Sequence, residues 1–432
     1  MGNVVTDSRA VTAGDLFVAL KGPRFDGHEF IASVLAQGAA AIAETAVAGG
    51  AVIRVASTLQ ALQDLAHAIR KAVATKVIAI TGSAGKTTTK EAIAAFLAGR
   101  FRVVKNKGNL NNHIGLPLSL IQLREEPDIA VMELGMNHAG EISALVAIAE
   151  PDVRVWTNVG DAHVGFFASP DAIADAKAEI LERARVNDVL VCNADDARIM
   201  RRAKRFTGRV VTFGQAAGAT VRASRIQDLG LGGMRAEITT PSGDAMIATP
   251  LLGRGNFANV LAATAVAFEF GVTLEESVAR ARELRPADRR GVVHRLRGGV
   301  TLVDDSYNSS PAALKLSLEM LGHEEERRKI AVLGEMLELG AHSLLLHESC
   351  GQAAADAGVE RLVTIGGGPA RAMAAAAMAA GMPDGSVQYY EQSTEAADAV
   401  AAGVRDGDVV LVKGSRGIRT DIVADRILAE RG

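Results

Sequence analysis

The chain has 432 residues, 48% of them hydrophobic, which is too long for one core and supplies enough apolar material for two or three packed domains, so a disordered scaffold is excluded. Its 47 Lys and Arg nearly balance 50 Asp and Glu at a net charge of -3, which removes any global pull toward nucleic acid or an anionic membrane and leaves polyanion binding to a local site. Cys192 and Cys350 match no zinc spacing and are expected to be buried small hydrophobes rather than a disulfide; with no signal peptide and no apolar run of membrane-spanning length, the expected compartment is the cytoplasm.

Strand-like runs alternate along the chain with Ala-rich helical stretches, the pattern of α/β sheets wound with helices on both faces. Three blocks separate. Residues 1–74 carry a strand at 15–20, a helix near 28–38, a short strand at 40–43 and a helix at 59–73. Residues 75–287 open with a strand at 77–80 and continue through strands at 128–132, 153–158, 188–192 and 209–213. A Leu-Arg-Pro-Ala-Asp break at 284–288 precedes residues 288–432, with strands at 300–304, 329–333, 361–365 and 409–412 and an Ala-rich helix at 370–381 that ends on glycine.

The chemistry starts where the 77–80 strand ends. Gly82, Ser83, Ala84, Gly85, Lys86, Thr87 and Thr88 form a glycine loop opening a helix, so loop amides and the helix N-terminus aim partial positive charge at an anion. In such a phosphate cradle Lys86 holds the terminal phosphates and Thr87 ligates Mg²⁺; the spacing departs from the common pattern only at Ile80, where a glycine usually stands. The apolar run 129–133 ends in Glu133, a position from which a carboxylate reaches a cation beside Thr87. His163 follows the next strand, and Lys177 sits among alanines on a helix at 171–181. Taken singly, such a histidine reads as a hydrogen-bonded surface residue and such a lysine as solvated.

Taken in order, Gly85-Lys-Thr87, Asn109-Leu-Asn-Asn112, Glu133-Leu-Gly-Met-Asn-His138, Asn158-Val-Gly-Asp-Ala-His163 and Ala176-Lys-Ala-Glu179 resemble the central domain of the Mur ligase family, and the resemblance covers nearly the whole chain. It implies a three-domain α/β protein: a small N-terminal α/β domain, a central P-loop ATPase-type domain on a mostly parallel sheet, and a C-terminal Rossmann-like domain. It also implies that Lys177 is carbamylated by CO₂, giving an anion that bridges to a second Mg²⁺ also approached by Glu133 and His163. An ammonium with a pKa of about 10.4 would repel a cation, whereas a carbamate offers the oxygens that a hard ion prefers. For ATP, the resemblance implies contacts from the 82–88 loop and Asn256 facing the adenine end, with Asn259 packing at a helix start. Many members have histidine where Gly255 stands. Arg290 is implied at the γ-phosphate, with Arg289 as the register alternative, and Asp305 lies on a loop that approaches ATP from the third domain.

Within the family, Asp304-Asp-Ser-Tyr-Asn308, Leu333-Gly-Glu-Met-Leu-Glu-Leu-Gly340 followed by His347, and Val412-Lys-Gly-Ser-Arg416 resemble the member that adds D-alanyl-D-alanine to a UDP-N-acetylmuramoyl-tripeptide. The Asp-Asn-Pro-Arg signature by which the preceding ligase reads diaminopimelate is missing. Thr6-Asp-Ser8-Arg9 and Asp26-Gly-His28 resemble the N-terminal domain that receives the uridine nucleotide, ahead of which members usually carry a further strand and helix. The implied substrate contacts are Ser8, Arg9, Asp26, His28, Asn111, Asn112, Asn137, His138, Tyr307, Asn308, Lys413 and Arg416, in a monomer with no nucleic-acid partner. For Asn111, Asn112, Asn137 and His138 a capped loop is an equally good account. Two other readings share the phosphate loop: an amide ligase adding diaminopimelate or lysine, or a folylpolyglutamate synthase, against which 304–308 argues, and a P-loop switch or transport ATPase. A guanine-specific Asn-Lys-x-Asp is absent, since Asn106-Lys-Gly-Asn109 lacks the aspartate.

Overall fold

The computed structural model describes residues 2–432 except 24, 47, 48, 161–163 and 325. Among the described residues the strands form three sheets, one for each block of the sequence, in a three-domain α/β arrangement. The first is parallel throughout, in the order Val4–Val5, Leu16–Val18, Ala40–Ala43, Val52–Arg54. The second has nine strands. Val103–Lys105, Ile129–Glu133, Lys76–Thr81, Val153–Trp156, Val189–Asn193, Arg209–Gly214 and Val221–Asp228 run parallel, and Met234–Thr240 and Gly243–Thr249 close the far edge antiparallel. The third runs Val292–Arg295, Thr301–Asp305, Val409–Lys413, Lys329–Gly334, Arg361–Ile365, Val387–Tyr390, with only the first strand antiparallel.

A strand covered on both faces must be apolar on both, and Lys76–Thr81 shows how this works. Ile78 and Ile80 join Ile93, Phe96 and Phe257 from the helices Lys86–Leu97 and Gly253–Glu269 on one side. Val77 and Ala79 face Leu116, Leu145 and Ile173 on the other. The helix Thr58–Ala72 carries Leu62 and Ala66 into that second core and ties the first domain to the second through Arg70. Its guanidinium donates to the Ala149 carbonyl at 2.9 Å, the Glu150 carbonyl at 2.9 Å and the Asp152 carboxylate at 2.8 Å. The third domain meets the second where Gly165 N donates to the Glu338 carbonyl at 3.0 Å, Leu231 N donates to Glu324 Oε1 at 3.3 Å and His323 lies 3.7 Å from Asp228.

The three strands from Val221 to Thr249 were not among the expected elements, although Met234, Ala236, Ile238 and Thr240 alternate buried with exposed partners, the period of a one-faced strand. Cys192 and Cys350 are free and buried, and burial pushes their thiols up to about 12 and about 11, as expected for small core residues. No helix among the described residues is long and apolar enough to cross a membrane.

Candidate active site

Three neighbouring parallel strands, Ile129–Glu133, Lys76–Thr81 and Val153–Trp156, end side by side, so the segments that follow them share one crevice at the carboxyl edge of the sheet. The phosphate loop fills it. Gly85 takes φ +80 as the N-cap of Lys86–Leu97, and a Cβ there would lie 2.3 Å from Asn259 Oδ1, so only glycine fits. The loop is braced from the next strand end: Ala84 N donates to Asn158 Oδ1 at 2.9 Å, Thr157 Oγ1 to the Ala84 carbonyl at 2.9 Å, and Ser83 Oγ to the Gly160 carbonyl at 3.1 Å. Lys86 arches back over the loop and donates to the Gly82 carbonyl at 2.9 Å. Burial holds its pKa below the ordinary lysine value, against the pull of Glu133 and with a further push from the Arg290 charge at the start of the third domain.

Glu133 is buried at its strand end, and both oxygens are aimed. Thr87 Oγ1 donates to Oε2 at 2.8 Å and Asn111 Nδ2 to Oε1 at 2.8 Å, while Glu133 N donates to Asn106 Oδ1 at 3.0 Å. A hydroxyl beside a carboxylate in a phosphate-facing crevice is a donor set that suits Mg²⁺. Among the described residues no three His, Cys, Asp or Glu side chains gather as a metal site, so such an ion would complete its shell with phosphate and water oxygens. His163 lies outside the described residues. Lys177 is buried on the helix Pro170–Ala178, and desolvation, helped by the nearby Lys86 charge, presses its pKa well below the ordinary value. A deeply buried amine pushed toward neutrality is the form that attacks CO₂.

In the third domain, the turn after Thr301–Asp305 carries Tyr307 and Asn308. Lys413 Nζ donates to Asp305 Oδ2 at 2.6 Å and to the Asn308 carbonyl at 3.2 Å, and Ser317 Oγ donates to the same Asp305 oxygen at 3.2 Å. The Asp305 carboxylate is thus neutralised within its own domain. Arg290 lies over the Tyr307 ring at 4.2 Å, whereas Arg289 turns away to Asp425 at 3.0 Å and Asp304 at 3.7 Å. Of the two register candidates, Arg290 is the one whose charge acts on Lys86.

Three family models together match most of the chain: "Mur ligase family, catalytic domain" over residues 2–79, "Mur ligase middle domain" over 80–267 and "Mur ligase, glutamate ligase domain" over 289–416. The "UDP-N-acetylmuramoyl-tripeptide--D-alanyl-D-alanine ligase" of Bacillus subtilis is 34% identical, covering 98% of this chain and 93% of that protein. The chain belongs to the Mur ligase family. MurF from Acinetobacter baumannii superposes with a TM-score of 0.89 at 32% identity over 99% of this chain and 93% of that one. MurF ligase from Thermotoga maritima in complex with ADP gives 0.88 at 31% identity over 99% and 97%.

On this Mur ligase framework the remaining expected residues divide. Asn256 Nδ2 folds back onto the Leu252 carbonyl at 2.9 Å, and Asn259, buried one turn into its helix, abuts Gly85. Asn112 Oδ1 accepts from Gly115 N at 2.9 Å, and the His138 ring meets Glu141 at 3.2 Å and Phe166 at 5.2 Å; Asn137 N donates to Glu141 Oε2 at 2.7 Å. In the first domain, Ser8 and Arg9 form a turn capped by Asp7, and Arg9 pairs with Asp7 at 2.7 Å. Asp26 Oδ1 lies 2.6 Å from His28 Nδ1, and Glu44 N donates to His28 Nε2 at 2.9 Å, so in the neutral ring the proton sits on Nδ1. Asp26 and His28 therefore stitch the turn after Leu16–Val18 to the end of Ala40–Ala43.

Several residues that build the site were not singled out from sequence. Asn158 braces the loop, Asn106 receives the Glu133 amide, and buried Lys90 donates to the Asn106 carbonyl at 2.8 Å. Asn106 follows a strand directly and Asn158 follows one by two residues, whereas Lys90 lies inside the helix Lys86–Leu97 and carries no such mark. His347 is a positioning group in the third domain: Met336 N donates to Nε2 at 2.8 Å and Nδ1 donates to the Ser343 carbonyl at 2.7 Å, while burial lowers its pKa and keeps it neutral.

Proposed function

We propose that this chain joins D-alanyl-D-alanine to UDP-N-acetylmuramoyl-tripeptide with ATP, in the cytoplasmic assembly of the peptidoglycan precursor, as a monomer. What supports the reading most is the glycine loop with Lys86 folded over it and Thr87 bonded to Glu133 at the adjoining strand end, in a chain 34% identical over 98% of its length to a relative named for that reaction. The corresponding division of labour is 1–74 for the uridine nucleotide, 75–287 for ATP and 288–432 for the dipeptide.

A carboxylate is a poor electrophile, so it is first converted to an acyl phosphate. The tripeptide carboxylate oxygen attacks the γ-phosphorus, the bond to ADP breaks, and the developing charge is met by loop amides, Lys86 and Arg290. Thr87 and Glu133 would hold a first Mg²⁺, and Lys177 as a carbamate, with Glu133 and His163, a second; bound there, the ions neutralise phosphate charge. Forming the carbamate consumes the neutral Lys177 amine and one CO₂ and releases a proton. The dipeptide amine then attacks the acyl carbon, and the tetrahedral adduct collapses with expulsion of phosphate to leave the amide. Positioning and charge do the work, and no side chain acts as a nucleophile.

The test is phosphate release from ATP and Mg²⁺ with the tripeptide nucleotide, with and without D-alanyl-D-alanine. Turnover that requires both substrates is expected. Turnover without either would point to a switch ATPase, and turnover on a dipeptide nucleotide with a free amino acid would point to the preceding ligase.

A further inference from the structure

Two arginines share one aromatic ring in the third domain. The Arg290 guanidinium lies 4.2 Å from the centroid of Tyr307 and that of Arg416 lies 5.6 Å from the same centroid. The three residues come from three places: the linker ahead of Val292–Arg295, the turn after Thr301–Asp305 and the turn after Val409–Lys413. Tyr307 N donates to the Arg289 carbonyl at 3.1 Å, which ties the turn to that linker.

The charges around the ring are unbalanced. Arg289 next to it pairs with Asp425 at 3.0 Å, and Arg419 pairs with Asp421 at 3.0 Å. Among the described residues neither Arg290 nor Arg416 has an ion-pair partner, and Asp305, at the end of the strand ahead of Tyr307, is taken by Lys413 at 2.6 Å. Two cations gathered on one ring repel each other, and the ring quadrupole offsets only part of that repulsion, so the pair is set up to receive anions. The Tyr307 hydroxyl makes no hydrogen bond among the described residues, which leaves the π face as the part of the side chain in use.

The proposed reaction brings two anionic groups into this space: the γ-phosphoryl group beside Lys86 and the C-terminal carboxylate of the dipeptide. The two centroid distances limit the guanidinium separation to about 10 Å, and an extended dipeptide spans about 7 Å. A dipeptide can therefore keep its carboxylate at one guanidinium while its amine reaches an acyl phosphate held by the other. We propose that Tyr307 is a positioning residue whose ring sets Arg290 toward the γ-phosphoryl group and Arg416 toward the dipeptide carboxylate. This rests on the functional reading above.

The experiment compares the full chain with Tyr307→Leu, Tyr307→Phe, Arg416→Met and the Tyr307→Leu/Arg416→Met double variant, each first checked for an unchanged thermal unfolding midpoint. Steady-state constants are then measured for ATP, the tripeptide nucleotide and D-alanyl-D-alanine. Tyr307→Leu raises the dipeptide KM by about three- to thirtyfold, the range of a cation–π contact, and lowers kcat, while the tripeptide KM stays put. Tyr307→Phe recovers most of that loss, and the double variant is no worse in dipeptide KM than the worse single one. The inference is overturned if folded Tyr307→Leu keeps its dipeptide KM, if Phe is as poor as Leu, or if the two losses multiply. A wild-type chain with no dipeptide-dependent turnover would instead sink the functional reading, and the inference with it.

Discussion

Lys177 shows what a single residue contributes when its environment opposes its charge. A buried ammonium close to Lys86 is costly, and the site holds Lys177 well below the ordinary lysine pKa through desolvation. Between that lowered value and 10.5 the unfolded chain carries the extra proton, so stability rises with pH across this window and is lost as pH falls through it. In CO₂-free buffer, Lys177→Met is therefore expected to unfold at a higher temperature than the parent at pH 6.5, with the difference shrinking toward pH 9. The functional consequence runs the other way. Lys177→Ala should lose about 10²-fold or more in kcat and regain part of it with added short-chain carboxylates, which supply the missing oxygens; an inactive variant that no carboxylate rescues contradicts the carbamate role. Lys177 could be singled out in the sequence only through its resemblance to a family, since a lysine among alanines carries no other mark. The role of Asn106 could not be found, because it meets Glu133 only through the pairing of Val103–Lys105 with Ile129–Glu133, a register that local pattern does not specify, and Lys90 joins them only through the Asn106 carbonyl.

At the scale of elements, continuous apolar runs such as 77–80 and 329–333 were readable because a strand covered on both faces has no polar alternative. The strand Val221–Asp228 was not, since Arg222, Ser224 and Arg225 interrupt its apolar positions and its pairing shifts register between Ser224 and Gln227. Among the described residues the second and third domains touch at short turns and along the helices Gly253–Glu269 and Pro311–Gly322. The turn Val164–Phe166 packs its Gly165 against Gly340, which adopts φ +54; a Cβ on Gly340 would sit 2.8 Å from the Gly165 Cα, and one on Gly165 would sit 2.6 Å from Gly340 N. Backbone against backbone at this distance tolerates no side chain. Gly340→Ala should therefore push the domains apart, leaving nucleotide binding to the phosphate loop nearly intact and lowering kcat by about 10²-fold, the scale of an ångström-sized misplacement. Equilibrium nucleotide binding beside turnover separates the two, and a variant with unchanged kcat would show that this contact plays no part in the active arrangement.

For the whole molecule, the site is assembled between domains. Arg70 fastens the first domain to the second with hydrogen bonds at 2.8–2.9 Å, whereas the third meets the second at turns and along the helices Gly253–Glu269 and Pro311–Gly322. Such a division excludes water from an acyl phosphate only while the parts are together. Composition and the order of strands and helices were enough to foresee three blocks, each with its own sheet, and the glycine loop was legible as the opening of a helix after a strand; how the blocks pack on one another is encoded in no single block. The central claim is that the tripeptide carboxylate is activated by phosphoryl transfer and then takes the dipeptide amine. It is tested most directly by supplying UDP-N-acetylmuramoyl-tripeptide with both oxygens of its terminal carboxylate labelled with ¹⁸O, together with ATP, Mg²⁺ and D-alanyl-D-alanine, and weighing both products. The account predicts one labelled oxygen in each phosphate released and one retained in the new amide of a pentapeptide. Unlabelled phosphate, or phosphate released with no pentapeptide formed, would contradict it.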